Sequence, residues 1–113
     1  MAKIGDIYRA EICFEDNPNS SKTRPVLILG DKDDQGLYLI VEITSVPPHV
    51  PPKYHDRFKE PINKWVQAGL GKPSWVKTHK LNRVEESAFQ SFYGELDSQE
   101  LHDISLKVVQ LHT

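Results

Sequence analysis

The first ordered signal along the chain is an alternation. In residues 5–14, Tyr8, Ala10, Ile12 and Phe14 fall on one face of an extended segment and Arg9 and Glu11 on the other, which predicts a half-buried strand. Residues 15–23 carry turn formers and hydrogen-bonding side chains with no apolar anchor, and read as a polar loop. Val26-Leu27-Ile28-Leu29-Gly30 is an unbroken apolar run of strand length, the pattern of a central strand covered on both faces. Pro25 belongs at its entry, because proline has no N–H to give to a ladder. Residues 31–36 are turn-rich and lead into residues 37–45, dense in β-branched and aromatic side chains, so the two runs predict a hairpin.

Residues 46–61 contain Pro47, Pro48, Pro51, Pro52 and Pro61 and little apolar periodicity, which predicts an extended or mobile loop of polyproline character. Residues 62–70 and 74–81 read as two further strands joined by a turn at 69–73. In the second, Trp75, Lys77, His79 and Leu81 alternate with Ser74, Val76, Thr78 and Lys80. Residues 92–96 predict a short closing strand, after which Asp97 or Ser98 stands as the N-cap of a helix. Leu101, Ile104, Val108 and Leu111 form its apolar stripe, leaving Gln99, Asp103 and Lys107 toward water. Short strands and one terminal helix, without βαβ alternation, predict a mainly β unit over residues 1–113: a small barrel or strongly curved antiparallel sheet with a C-terminal helix.

Composition narrows the function classes. With 113 residues, 38% hydrophobic and 27% charged, the chain has enough apolar surface for one core and is a poor match to disorder. Its longest apolar run, residues 25–29, is far below the roughly 20 residues that cross a bilayer, and the first residues open no signal-peptide core, so a cytoplasmic, non-membrane protein is expected. The single cysteine, Cys13, allows no internal disulfide and reads as a small buried residue. A net charge of −2 gives no global attraction to nucleic acid. A polyanion must therefore meet a local patch, and residues 53–83, rich in Lys and Arg, supply one.

Within this frame several side chains carry chemistry. Ser20, Ser21, Lys22 and Thr23 offer hydroxyl donors and a positive charge that can hold phosphate or position Arg24. Tyr54, Phe58, Trp65 and Trp75 interleave with Lys53, Arg57, Lys59, Lys64 and Lys77, a pattern suited to stacking bases above a phosphate-holding surface. Tyr54 and Phe58 are the better stackers, and Trp75 the better core residue. His49, His55 and Asp56 are of metal-ligand types but share a loop without a third ligand at defined spacing, so no metal or cofactor is expected. His55 is a reserve candidate for a general base. His102 and His112 on the helix read as solvated.

Gly5-Asp6-Ile7-Tyr8 at the start, Arg24-Pro25 leading into the apolar strand, Ile43-Thr44-Ser45 closing the next, and Gly71-Lys72-Pro73-Ser74-Trp75-Val76 with the helix over 96–109 together resemble the PemK/MazF toxin family. The resemblance covers most of the chain. It implies an SH3-like barrel, a homodimer, metal-independent cleavage of single-stranded RNA, and a cognate antitoxin as partner. Its catalytic arginine falls on Arg24 and its catalytic threonine on Thr44, with Ser20, Ser21, Lys22, Thr23, Tyr54, Arg57 and Lys77 as RNA-binding candidates. A guanidinium fork can hold two phosphate oxygens and a hydroxyl can donate to the same phosphate, as charge builds there during attack by the 2′-hydroxyl. Many members carry a Gly-rich stretch with Glu and Gln before the arginine, and this chain has Pro18-Asn19-Ser20-Ser21-Lys22-Thr23 there. Two other functions fit a fold of this shape: a barrel that inhibits a topoisomerase through its terminal helix without chemistry, and a nucleic-acid or protein binding module.

Overall fold

The computed structural model describes the whole chain except Met1, Glu15 and Asp16, together with the side chains of Phe14, Asn17 and Pro18. Six strands make one antiparallel sheet: β1 (Asp6–Phe14), β2 (Asn17–Gly30), β3 (Leu37–Thr44), β4 (Lys59–Ile62), β5 (Ser74–Glu85) and β6 (Phe89–Glu95). Their spatial order is β4-β5-β3-β2-β1-β6, and a C-terminal helix, α1 (Ser98–His112), packs on it. The predicted class is right. The sheet is strongly curved and stays open, with no hydrogen-bonded pairing between β4 and β6.

Burial of β2 explains the curvature. Val26, Leu27 and Ile28 are all fully buried, yet neighbours on a strand point to opposite faces, so both faces need cover. Leu27 joins Ile7, Val41, Ile43 and Val76 in a cluster completed by Ile104 and Val108 of α1. Val26 and Ile28 join Ala10, Ile12, Tyr38 and Ile40 in a second cluster, walled by Tyr8, Val84 and Phe89. The ring of Phe89 stacks on Tyr8 at 4.9 Å and lies 5.3 Å from Tyr38, so β6 closes over this second face.

The two sheet edges meet through a turn. Residues 63–69 are turns held by Ala68 N–H to Lys64 O, Gly69 N–H to Val66 O and Leu70 N–H to Trp65 O, and only Ile62 of the predicted 62–70 strand belongs to β4. The apolar positions there, Ile62, Trp65 and Ala68, recur every third residue, a local period that strands do not have. Gly69, at φ +82°, lies against β6 so closely that a Cβ would sit 1.9 Å from the Tyr93 carbonyl oxygen. Reciprocally, a Cβ on Gly94 would sit 2.5 Å from the Ala68 carbonyl oxygen. The Glu100 carboxylate of α1 accepts the Asn63 and Lys64 N–H groups at 2.7 and 3.2 Å, tying this turn to the helix.

Five further expectations need correction. The polar stretch after β1 is strand rather than loop from Asn17 onward, because β1 offers it a ladder in which Thr23 faces Glu11, Lys22 faces Ile12 and Ser21 faces Cys13; Glu15 and Asp16 lie outside the described residues. Of the predicted loop at 46–61, Tyr54–Phe58 form a 3₁₀ turn and residues 59–61 belong to the edge strand β4, leaving only 46–53 without regular structure. Cys13 is exposed. On α1, capped as predicted by Asp97 accepting from Gln99 and Glu100 N–H, Ile104 and Val108 are buried but Leu111 is exposed. The last turn is held instead by His112, whose Nε2 lies 3.0 Å from the Thr78 carbonyl oxygen, so His112 is structural.

The Gly69 and Gly94 contact yields a stability test. Gly69→Ala combines left-handed strain with a backbone clash and is expected to cost about 2–4 kcal/mol in chemical unfolding. Gly71→Ala, where nothing lies within 4 Å of the added Cβ, is expected to stay within about 0.5 kcal/mol of the parent. Equal midpoints for the two variants would show that the turn does not fasten β6.

Candidate active site

Register brings Arg24 and Thr44 together. Val26 on β2 pairs with Glu42 on β3, and Glu42 pairs with Lys77 on β5, which in turn pairs with Lys59 on β4. Two residues beyond this row, Arg24, midway along β2, and Thr44, the last residue of β3, project from the same face of neighbouring strands. Both line a cleft of about 900 Å³. Arg24 is exposed and Thr44 half-buried. The Thr44 Oγ1 accepts the Val46 N–H at 3.1 Å, which fixes the side chain and leaves its hydroxyl hydrogen available to a ligand.

The cleft is cationic. Arg24, Lys53, Lys59, Lys72, Lys77 and Lys80 line it, and among the described residues Asp56 is its single lining carboxylate. Burial pulls the Lys77 ammonium below its usual pKa; Glu42 opposes that, and Lys22, Arg24 and Lys59 push the same way as burial. Glu42 is buried beneath this cluster, with Lys22 Nζ 3.0 Å from its Oε1. Lysines crowded with an arginine in a partly desolvated recess gain from a bound anion, and a phosphate supplies one.

One wall is built by the proline-rich segment, which a single carboxylate organises. Asp56 Oδ2 accepts the N–H groups of His49 and Lys53, each at 2.9 Å, and lies 2.7 Å from His49 Nδ1. Its Oδ1 is 3.1 Å from Lys59 Nζ, which also donates to the Val46 carbonyl at 3.1 Å. The donated N–H groups of His49 and Lys53 hold the Asp56 carboxyl well below the usual carboxylate range. Asp56 and His49 thus serve the loop. Among the described residues no three His, Cys, Asp or Glu side chains gather as a metal site would require.

The other wall contains a residue that strand periodicity hides. Between the pairs Val41 with Leu81 and Glu42 with Lys77, β5 carries three extra residues, Thr78, His79 and Lys80. This bulge re-aims His79 and Lys80 into the cleft. Thr78 pins it, donating its hydroxyl to the Phe58 carbonyl at 2.6 Å while its own carbonyl meets His112. The His79 ring stacks on His55, centroids 5.0 Å apart and 13° from parallel, and lies 5.0 Å from Phe58. Burial, assisted by His55, Lys80 and Lys77, lowers the His79 pKa to about 4. The sequence signal available for it was a cluster of polar and basic residues, 77–80, inside an otherwise apolar-alternating strand.

The remaining candidates separate. Tyr54 and Lys77 line the cleft with Arg24 and Thr44. Ser20, Ser21, Lys22, Thr23 and Arg57 are not among its lining residues: Ser21 donates to Glu11 at 3.2 Å, Lys22 pairs with Glu42, and the Arg57 guanidinium lies 4.0 Å from the Tyr54 ring centroid. Trp75 is half-buried opposite Thr44 and Pro61, and Trp65 packs on the helix-side core.

With this geometry in hand, the comparisons with known proteins agree among themselves. The PemK-like, MazF-like toxins of type II toxin-antitoxin systems match residues 3–112. Among solved structures the chain is similar to an endoribonuclease in complex with its cognate antitoxin from Mycobacterial species, at 12% identity and TM-score 0.67, over 97% of this chain and 93% of that one. It is likewise similar to MazE-MazF from Deinococcus radiodurans, at 16% identity over 98% of this chain and 95% of that one, with TM-scores of 0.70 for Form-III and 0.69 for Form-II. At such identities the structural likeness speaks for the fold. No curated protein matches the sequence.

Two tests address the walls. His79 binds fewer protons folded than unfolded, so stability is full above its unfolded pKa near 6.5 and falls as pH drops toward 4. NMR titration is expected to place the His79 midpoint near 4, and His79→Gln is expected to flatten the unfolding profile between those pH values. Removing the loop's anchor with Asp56→Ala is expected to speed amide exchange at His49 and Lys53 while the amides of β2 keep their protection. Loss of protection throughout would show that the segment is not a separate unit.

Proposed function

This chain belongs to the PemK-like, MazF-like toxins of type II toxin-antitoxin systems, and from that membership we propose that it is an endoribonuclease that cuts single-stranded RNA without a metal ion at Arg24 and Thr44. The observation that carries the reading is the convergence of these two residues, twenty positions apart in sequence, on one face of a cationic cleft. In the reaction the ribose 2′-hydroxyl loses its proton and attacks the adjacent phosphorus. The bond to the 5′-oxygen breaks, that oxygen takes up a proton, and a 2′,3′-cyclic phosphate remains.

Charge grows on the non-bridging oxygens as the new bond forms. The Arg24 fork grips two of them, and the Thr44 hydroxyl donates a third hydrogen bond from the end of β3. Lys77, partly desolvated beside them, adds positive potential at the place where negative charge develops. Tyr54 at the cleft and Arg57 stacked on it extend the RNA path outward, and Ser20, Ser21, Lys22 and Thr23 flank it along β2. The working form is a cytoplasmic homodimer, restrained by a cognate antitoxin whose acidic segment complements the cleft's lysines.

The test is incubation of the purified protein with a long single-stranded RNA in EDTA, with the product ends mapped. Cleavage is expected, and Arg24→Ala is expected to lower its rate by about 10² to 10³ while shifting the unfolding free energy by less than about 0.5 kcal/mol, since Arg24 is exposed. Thr44→Val is expected to slow the reaction in the same direction, with Thr44→Ser retaining more of it. Unchanged cutting by Arg24→Ala would sink the assignment. Intact RNA with a folded wild-type protein would turn attention to topoisomerase inhibition or simple binding.

A further inference from the structure

The cationic groups of the cleft account for phosphate binding, but the rings on its far side have no part in that. His55 and His79 are nearly parallel, with centroids 5.0 Å apart. Phe58 flanks His79 at 5.0 Å, and Tyr54 meets His55 edge-on at 5.0 Å. Of these, Tyr54, His55 and His79 line the cleft, and Tyr54 and His55 are exposed. Three features make this a built surface. The bulge in β5 exists at the one place where it turns His79 inward, and Thr78 holds it from both sides. Phe58 and Asp56 fix the 3₁₀ turn that carries Tyr54 and His55. The Nδ1 of His79 is buried and has no hydrogen-bond partner among the described residues.

We propose that His55 and His79, backed by Phe58, form a shelf on which one unpaired nucleobase stacks while its phosphate lies in the grip of Arg24. The proposal rests on the single-stranded RNA reading and adds to it a base subsite and the residues that make it. A phosphate-binding surface alone would favour a further cation here. A low His79 pKa instead keeps that ring neutral at physiological pH, and a neutral aromatic face suits a base. Every base has a π-face, so the shelf contributes affinity for bases in general, and edge contacts from Lys80 and Lys53 in the same cleft can grade it.

The experiment compares two non-cleavable probes of equal length: a single-stranded 2′-O-methyl oligonucleotide, and the same sugar-phosphate backbone with its bases removed. Wild type is expected to bind the first more tightly by roughly 5- to 150-fold, the range for one stacked base. His55→Ala, at an exposed position, is expected to remove most of that gain and leave binding of the abasic backbone unchanged, and His55→Phe to restore it. His79→Phe, which keeps a ring, is expected to retain more of the gain than His79→Ala, with unfolding midpoints measured on both.

Equal binding of the two probes by wild type, or the full base-dependent gain persisting in His55→Ala, overturns the shelf. Because neither probe can be cut, the result is independent of catalysis. Loss of metal-free cleavage on ordinary RNA with a base-dependent gain intact would reject the nuclease and keep the shelf, and the converse pattern would do the opposite.

Discussion

A strand buried on both faces sets the terms for this protein. Val26, Leu27 and Ile28 are wholly removed from water, and each such side chain stabilises the fold by roughly 1.5–3 kcal/mol. A helix of fifteen residues can cover only one face of a six-stranded sheet. The other face is covered by the sheet itself, which curls until β6 lays Phe89 over Tyr8 and Tyr38. Curling in turn brings the turn after β4 against β6, where only glycine fits at 69 and 94. Just before this apolar run the same strand carries Arg24-Pro25, paired there with Ala10 and Arg9 of β1, so the guanidinium stands on a strand anchored in both cores. Preorganisation of the candidate phosphate grip thus follows from the demand of the core.

The electrostatics follow from where acids are placed rather than from how many there are. The chain has more carboxylates than Lys and Arg side chains. Many acids are engaged away from the cleft: Asp33 with Arg83, Glu60 with Lys107, Glu95 with Lys3, and Asp97 with Lys64 and the first N–H groups of α1. Within the cleft, Asp56 is saturated by the loop it organises, and Glu42 lies beneath the surface with Lys22. A positive recess on a net-negative protein results. Partial desolvation strengthens its field, because charges near a low-dielectric wall are screened less than charges in open water.

The parts of this arrangement that could be read from sequence are those fixed by local pattern. The apolar run of β2, the β2–β3 hairpin, the Asp97 cap and the Ile104–Val108 stripe each depend on spacing within a few residues. The shared cleft of Arg24 and Thr44 was legible only through the family resemblance, since neither residue's type alone singles it out. What was hidden depended on distant partners. Asn17–Thr23 is strand only because β1 offers a ladder, and Cys13 is exposed because that hairpin runs out beyond the core. His79 looked like an alternating strand residue, yet a bulge registered against β3 gives it another direction.

The site therefore has two halves with different physical characters. Arg24 and Thr44 stand on strands whose displacement would open both cores, so their geometry is protected by the global stability of the fold. Tyr54, His55 and Lys53 stand on a segment held largely by one carboxylate, Asp56, and by one lysine, Lys59. Local opening of such a segment exposes little apolar surface and costs less than unfolding the sheet. In the proposed nuclease, the chemistry would fall to the first half and base recognition to the second. On that reading, a change in the 46–59 segment would alter which single-stranded sequence is held without altering how its phosphate is gripped, so divergence in recognition would not require divergence in the reacting centre.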